Sequence, residues 1–366
     1  MNNYVKILFL FSILLVETAL AQNFEFEGQI SLWGTIYNQS NDYQLNGGTR
    51  FIPGIRFTKD FESGDFIDLH ISANTFLYKT ETDFFSEADL YRFKVRYATE
   101  QSELRLGLQK INFGPAKILR SLQWFDTVDP TDPIKITEGV YGLRYKYNFL
   151  NNSEIWLWVL YGNDKLKGKE FLVSDKKEPE FGGRISLPLF DGELAGTFHS
   201  RTVSFHNTKL NEKRFALDGR WEVEAGIWFE SVFTKLEDNL LFPSWQNNFT
   251  IGSDYTFNIG NGLVVTGEHY VFSMTDKFFG RGKTSRTTAL SAAYPLGLVD
   301  NFSLFVFYQW ESDKLYQTFQ WNRVYDSFIL NFNFYNYPET ALLAEQNSEN
   351  NTRAGYGFQF MIIYNF

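Results

Sequence analysis

The sequence predicts an all-β fold, a single closed antiparallel transmembrane β-barrel of about 18 strands with short turns at one end and long loops at the other. Three observations carry this. First, aromatic residues make up 19% of the 366-residue chain, yet mean hydropathy is −0.27. Large rings therefore coexist with abundant polar groups, as in a barrel with rings facing lipid and a polar interior. Second, apolar and polar residues alternate strictly with period two in segment after segment. Third, the connections between those segments alternate between short and long. A soluble β-sandwich has no reason to show that rhythm.

The elements follow in order. Lys6, the apolar run Ile7 to Val16 and Ala19-Leu20-Ala21 form the three parts of a cleaved signal peptide over 1–21, leaving a barrel over 22–366. After residue 22 no stretch approaches the ~20 apolar residues of a transmembrane helix. A membrane chain without such helices must span as closed strands, which satisfy every backbone hydrogen bond. The alternating runs fall near 24–37, 49–61, 66–79, 88–99, 103–112, 139–149, 153–162, 179–189, 193–203, 213–222, 225–235, 246–259, 262–273, 283–295, 301–311, 315–325, 327–336 and 354–366. Ser63-Gly64, Glu100-Gln101-Ser102, Asn151-Asn152-Ser153, Asp191-Gly192, Gly260-Asn261-Gly262 and Asp326-Ser327 are tight turns, read as periplasmic. Segments 38–48, 80–87, 113–138, 163–178, 204–212, 236–245, 274–282 and 337–353 are the long, extracellular connections, and Ser312-Asp313-Lys314 is a short exception.

There is no cysteine, which removes disulfides, thiolate metal sites and thiol nucleophiles. The net charge of −9 argues against a nucleic-acid partner. It is concentrated in loops such as 80–87 and 339–349.

Alternation also sorts side chains into lipid-facing and lumen-facing sets. The lumen sets of the second to tenth strands are rich in bases: Arg50, Arg56, Arg92, Lys94, Arg96, Arg105, Arg144, Lys146, Arg184 and Arg201, with Arg214 and Arg220 beyond. Asp68, His70 and Glu103 share those faces, while Tyr91, Phe93, Val95 and Tyr97 point outward. Glu230, Asp254 and Glu268 form an opposing acidic wall. Gln309, Gln320, Asn322, Asn331, Asn333 and Gln359 make a neutral amide sector. A one-sided basic wall attracts anions; the bland reading is that these charges pair across strands and fill the lumen.

Segment 113–138 is too apolar for a solvated surface loop, with Ile118, Leu119, Leu122, Trp124 and Phe125. It is expected to fold inward as a constriction, bringing Asp126, Asp129 and Asp132 toward the basic wall, stiffened by Pro130 and Pro133.

Two resemblances follow. The last residues put Tyr356, Phe358, Phe360, Ile362, Tyr364 and Phe366 on one face, which resembles the terminal strand of bacterial outer-membrane barrels. That resemblance implies insertion in outer-membrane lipid and recognition of the strand ending at Phe366 by the barrel-assembly machinery. Arg105, Gly107, Gln109, Phe113, Gly114, Phe125, Asp126, Pro130, Asp132 and Pro133 are similar to a motif of 18-stranded, substrate-specific porins, including alginate-export-type channels. It implies a porin passing small hydrophilic solutes. There is no room for an N-terminal plug domain.

Catalysis has little support. Of the four histidines, His70 and His199 can face the lumen, His206 lies in a loop and His269 faces lipid. Asp68 and His70 are only a same-face pair, and no metal-ligand cluster has convincing spacing. No cofactor is expected. The sequence thus favours a passive, anion-preferring diffusion channel over a non-conducting assembly or secretion partner, with a barrel-embedded hydrolase last.

Overall fold

The computed structural model describes residues 23–39, 42–205, 208–237, 242–278, 280, 282–338 and 355–366. The expected signal peptide, His206 and the acidic segment 339–349 lie outside these. Eighteen strands run in order. They are β1 (Phe24–Gln39), β2 (Asp42–Asp60), β3 (Phe66–Lys79), β4 (Phe84–Ala98), β5 (Ser102–Gln109) and β6 (Val140–Asn148). Next come β7 (Glu154–Leu160), β8 (Glu180–Leu189), β9 (Gly192–Phe205), β10 (Thr208–Glu222), β11 (Gly226–Leu236) and β12 (Trp245–Phe257). The wall is completed by β13 (Leu263–Thr275), β14 (Lys283–Pro295), β15 (Asp300–Gln309), β16 (Lys314–Val324), β17 (Phe328–Tyr337) and β18 (Gly355–Asn365).

Each strand pairs antiparallel with its sequence neighbours, and β18 pairs with β1 to close the barrel. The seam extends to the last residue. Phe366 and Gly28 exchange backbone hydrogen bonds of 2.8 and 3.0 Å. Gly28 has no side chain, and the space is filled by the Phe366 ring. Outward positions such as Leu32, Ile55, Leu106, Leu157, Ile251 and Phe334 are exposed, while their in-line neighbours are covered. This is the polarity of a barrel with lipid outside. The core therefore lies in the lumen, where the long loop 110–139 packs Ile111, Phe113, Leu122, Trp124 and Phe125 against Trp158, Leu160, Ala216 and Val232 of the wall.

Three expectations need correction. The described residues of segments 38–48 and 204–212 are strand, and half of 80–87 is, because β1, β2, β4, β9 and β10 extend past their alternating cores. At the start of β10, Thr208, Lys209, Asn211, Glu212 and Lys213 make both faces largely polar, so period two fades although the ladder continues. β4 opens on Phe84-Phe85, which breaks the alternation, and in β2 the alternation of Tyr43 and Leu45 stops at Gly47-Gly48. β5 ends at Gln109, earlier than the alternation suggested, and residues 110–112 leave the wall. Tyr91 does not point outward. Ser72 pairs with Arg92 and Ala73 with Leu90, so Tyr91 is the extra residue of a β-bulge. Its ring sits under the Arg92 guanidinium, 3.8 Å from the ring centroid.

Candidate functional site in the lumen

Registers bring the predicted basic residues into rows across the wall. Asp68, Arg96, Arg105, Arg144 and Trp158 are laterally paired across β3 to β7. Arg56, His70, Lys94, Gly107 and Gly142 form the next row across β2 to β6. Gly107 has a φ of 113°, and a Cβ there would collide with the Phe93 carbonyl. Lys94 thus faces a gap on that side.

Much of this wall is charge-paired. Arg56 donates to Glu27 at 2.7 Å, and Arg96 to Asp68 at 2.5 Å. Glu103 is shared by Arg105 at 2.7 Å, Arg144 at 2.5 Å and Arg96 at 3.6 Å. Lys146 meets Glu154 at 2.8 Å. Lys94 has neither a hydrogen bond nor an ion pair among the described residues. Arg56, Lys94, Arg96, Arg105, Arg144 and Lys146 therefore face four carboxylates: Glu27, Asp68, Glu103 and Glu154. Side chains of Arg56, Arg96, Arg105 and Lys146 are 37%, 28%, 23% and 22% exposed, so they remain reachable from the lumen. Alternation alone does not reveal Glu27 as a partner, because it lies on β1 and reaches Arg56 across the β1–β2 ladder.

Higher on the wall, toward the long loops, Arg92 donates to the Thr137 carbonyl and hydroxyl at 2.8 and 2.9 Å. Arg50 is buried, with its guanidinium 4.8 Å from the Phe76 ring centroid. Both line a cavity of about 450 Å3 between β2–β4 and the two long loops 110–139 and 161–179.

Arg184 and Arg201 are buried structural cations. Arg184 forms a two-pronged pair with Asp218 at 2.6 and 2.7 Å. Arg201 contacts Glu212 at 2.7 Å and Glu170 at 2.8 Å, and Arg214 joins the same two carboxylates. Lys167, on loop 161–179, adds Glu180 at 2.7 Å, and Glu180 lies 3.1 Å from His199. Burial of such charges is tolerable only when they are mutually paired. Two members of this network, Lys167 and Glu170, come from loop 161–179, whose inward folding the sequence did not signal.

The acidic residues Glu230, Asp254 and Glu268 do not stand bare across the lumen from the basic wall. They fasten loop 110–139. Glu230 accepts from the backbone N–H groups of Ala116, Ser121 and Leu122 at 3.0, 2.6 and 2.9 Å. Glu268 accepts from the N–H groups of Lys117 at 2.7 Å, Ile118 at 3.0 Å and Leu119, and from the Trp228 indole at 3.0 Å. Asp254 pairs with the Lys117 ammonium. A segment without regular structure leaves its N–H groups unpaired, and two carboxylates meet that need here.

Farther along the loop, Ile118 and Leu119 pack on Tyr37, Phe307, Tyr316, Tyr335 and Tyr337. The Gln320 amide donates to the Thr131 carbonyl. The amide sector is thus part of the bed on which the loop lies. Asp126 is buried, accepts from Asn112 at 3.1 Å and lies 3.8 Å from Lys110. Burial raises its carboxyl above the usual range, offset in part by Arg120, Lys110 and Arg92. Asp129 and Asp132 cap turns within the loop, Asp129 accepting from the N–H and hydroxyl of Thr131 and Asp132 from the N–H of Ile134. Trp124 lies in the loop's core against Phe113 and Phe125.

The Asp68–His70 pair is not formed. His70 is 3.3 Å from Glu27, whereas Asp68 is engaged by Arg96. His199 is fully buried between Glu180 and the Trp158 indole. His269 bonds Thr288 on the outer face at 2.9 Å.

No family model matches the chain, and no curated protein matches it. Solved structures do. The anion-selective porin from Comamonas acidovorans is 12% identical, with 94% of this chain and 99% of that chain covered and a TM-score of 0.55. OccK5 (OpdH) of Pseudomonas aeruginosa is 11% identical, with coverage of 95% and 99% and a TM-score of 0.58. OccAB1 of Acinetobacter baumannii is 9% identical, with coverage of 96% and 99% and a TM-score of 0.58. The fold is that of an outer-membrane porin. Within that fold, this chain has paired acids and bases on one side of the lumen and loop-fastening carboxylates on the other.

Proposed function

We propose that this porin-fold barrel is an outer-membrane channel for passive diffusion of small hydrophilic solutes, with a preference for anions. One observation carries the reading. On the β2–β6 wall six cations face four carboxylates, and Lys94 among them has no hydrogen bond or ion pair within the described residues. Partly exposed cations in a low-dielectric passage attract anions and hand them along. Loop 110–139 is the constriction, and Arg50 and Arg92 line the cavity on the long-loop side. The contacts of His70 with Glu27 and of His199 with Glu180 and Trp158 support a channel rather than an enzyme. The strand ending at Phe366 is what the assembly machinery reads, and a signal peptide over 1–21 exports the chain.

A second reading has its own support. The loop crosses from β5 to β11, β13 and β16, and Glu230 and Glu268 each take three of its backbone N–H groups. A barrel so crossed can serve as a non-conducting assembly or secretion partner. Planar-bilayer recording of the mature protein under a salt gradient separates the two. The channel reading expects discrete conductance with an anion-directed reversal potential, reduced by combining Arg92→Gln, Lys94→Gln and Arg96→Gln. Unchanged selectivity in that variant removes the role of the wall. Absence of conductance from folded barrel favours the second reading.

A further inference from the structure

The short-turn end of the barrel is unusual in what its turns expose. Water-facing turns favour small polar residues. Here Phe61, Leu150, Phe190, Val223, Ile259, Leu298 and Tyr325 place a large, exposed apolar side chain in seven successive or near-successive short connections, with exposures reaching 93% at Leu150 and 105% at Leu298. Only the turn 99–101 lacks one. At one site a ring stands on strained turn backbone. Phe190 and Asp191 have φ of 50° and 58°, a turn geometry in which Asn and Gly are the comfortable residues and a bulky ring is an outlier.

These tips are continuous with the lipid-facing belt. Trp221, on the belt's lower edge, donates its indole N–H to the Leu189 carbonyl beside Phe190 at 3.0 Å. The Tyr294 hydroxyl accepts from the Asn261 N–H beside Ile259 at 3.4 Å. Interfacial Trp and Tyr sit at headgroup level, so the apolar tips lie at or near that level. The charges of the same turns have one sign. Glu62, Asp65, Glu100, Asp191, Glu224 and Asp326 lie in the eight short connections, and no Lys or Arg does.

We propose that the short-turn rim is a lipid-docking surface, sunk into the interface of the adjoining leaflet. Its apolar tips reach the acyl boundary, and its carboxylates meet ammonium-bearing zwitterionic headgroups. A scattered exposed Leu needs no explanation, but a ring of them continuous with a membrane belt marks a contact surface.

The cysteine-free chain makes the test direct. Full-length barrels carrying Leu298→Cys, Val223→Cys, Gln101→Cys or Leu304→Cys are spin-labelled and reconstituted in phosphatidylethanolamine-rich vesicles. Label depth is read from collision with oxygen against a water-soluble nickel chelate. Labels at 298 and 223 are expected to favour oxygen, as at the belt position 304, while the label at 101 favours nickel. Labels at 298 and 223 that match 101 would overturn the proposal. Replacing phosphatidylethanolamine with phosphatidylglycerol is expected to move the rim labels toward water. Equal depth in both lipids would overturn the headgroup preference.

Discussion

Glu230→Gln is the sharpest probe of how the lumen is built. The carboxylate receives Ala116 N–H on one oxygen and Ser121 and Leu122 N–H on the other. Glutamine keeps one acceptor and turns the other into a donor. In the better orientation it retains Ser121 and Leu122 and aims its NH2 at the Ala116 N–H. The loss is one charge-assisted hydrogen bond, ~1.5–3 kcal/mol, plus an unsatisfied buried donor, ~1–3 kcal/mol. Easier burial of a neutral side chain returns part of this, leaving a net cost of ~2–4 kcal/mol to loop docking. At 1.4 kcal/mol per factor of ten, the undocked fraction should rise ~30- to ~1,000-fold. Leu119 is buried under the loop's attachment and Leu119→Cys is a suitable reporter, because the chain has no other thiol. Its labelling by a water-soluble maleimide should accelerate by that factor in the Glu230→Gln background. Single-channel traces should become noisier or larger. A double variant that labels no faster than Leu119→Cys alone would refute the idea that this carboxylate holds the loop.

Three other outcomes follow from the same reasoning. Asp218→Ala strands the Arg184 guanidinium in a buried site, with Glu193 only at 3.7 Å as a substitute, so it should cost ~3–5 kcal/mol and lower the temperature of the folded-to-unfolded gel shift. Gly107→Ala sets a Cβ against the Phe93 carbonyl at a φ of 113°, and should destabilise by at least ~1–3 kcal/mol in the same assay, whereas Gly196→Ala, with open space, should not. The Asp175 carboxyl is held down at about 2, chiefly by its hydrogen bond from Lys209, then by the Lys177 N–H. A depressed carboxyl contributes stability above its unfolded value, and that is lost as pH falls through about 2. Asp126 has the opposite sign. Its value is raised by burial, so acidification through the window between its usual and raised values favours the docked loop 110–139. Spin labels at Lys177→Cys and Leu119→Cys should therefore gain and lose mobility, respectively, as pH falls; parallel changes would contradict this assignment.

The sequence by itself determined the number of strands and, the bulge at Tyr91 apart, which strand residues face lipid. The reason is local: in a wall one residue thick, with lipid outside and polar lumen inside, every second residue must change polarity, and the turns carry their own chemistry. Arg92, Lys94 and Arg96 could be placed on one inner face from their spacing alone, and the closing strand ending at Phe366 could be read the same way. What alternation does not encode is which partner each inward side chain meets. Glu27 pairs with Arg56 through a register, and Glu103 gathers three guanidiniums from three strands. The bulge at Tyr91 depends on one inserted residue that leaves no mark in the pattern. The start of β10 looks like a loop because both of its faces are largely polar, and the start of β2 because Gly47-Gly48 interrupts its alternation. Above all, only the tertiary structure decided that Glu230 and Glu268 are fasteners rather than an acidic wall. Their partners are backbone N–H groups of a distant loop, and a backbone amide carries no residue identity for a sequence to display.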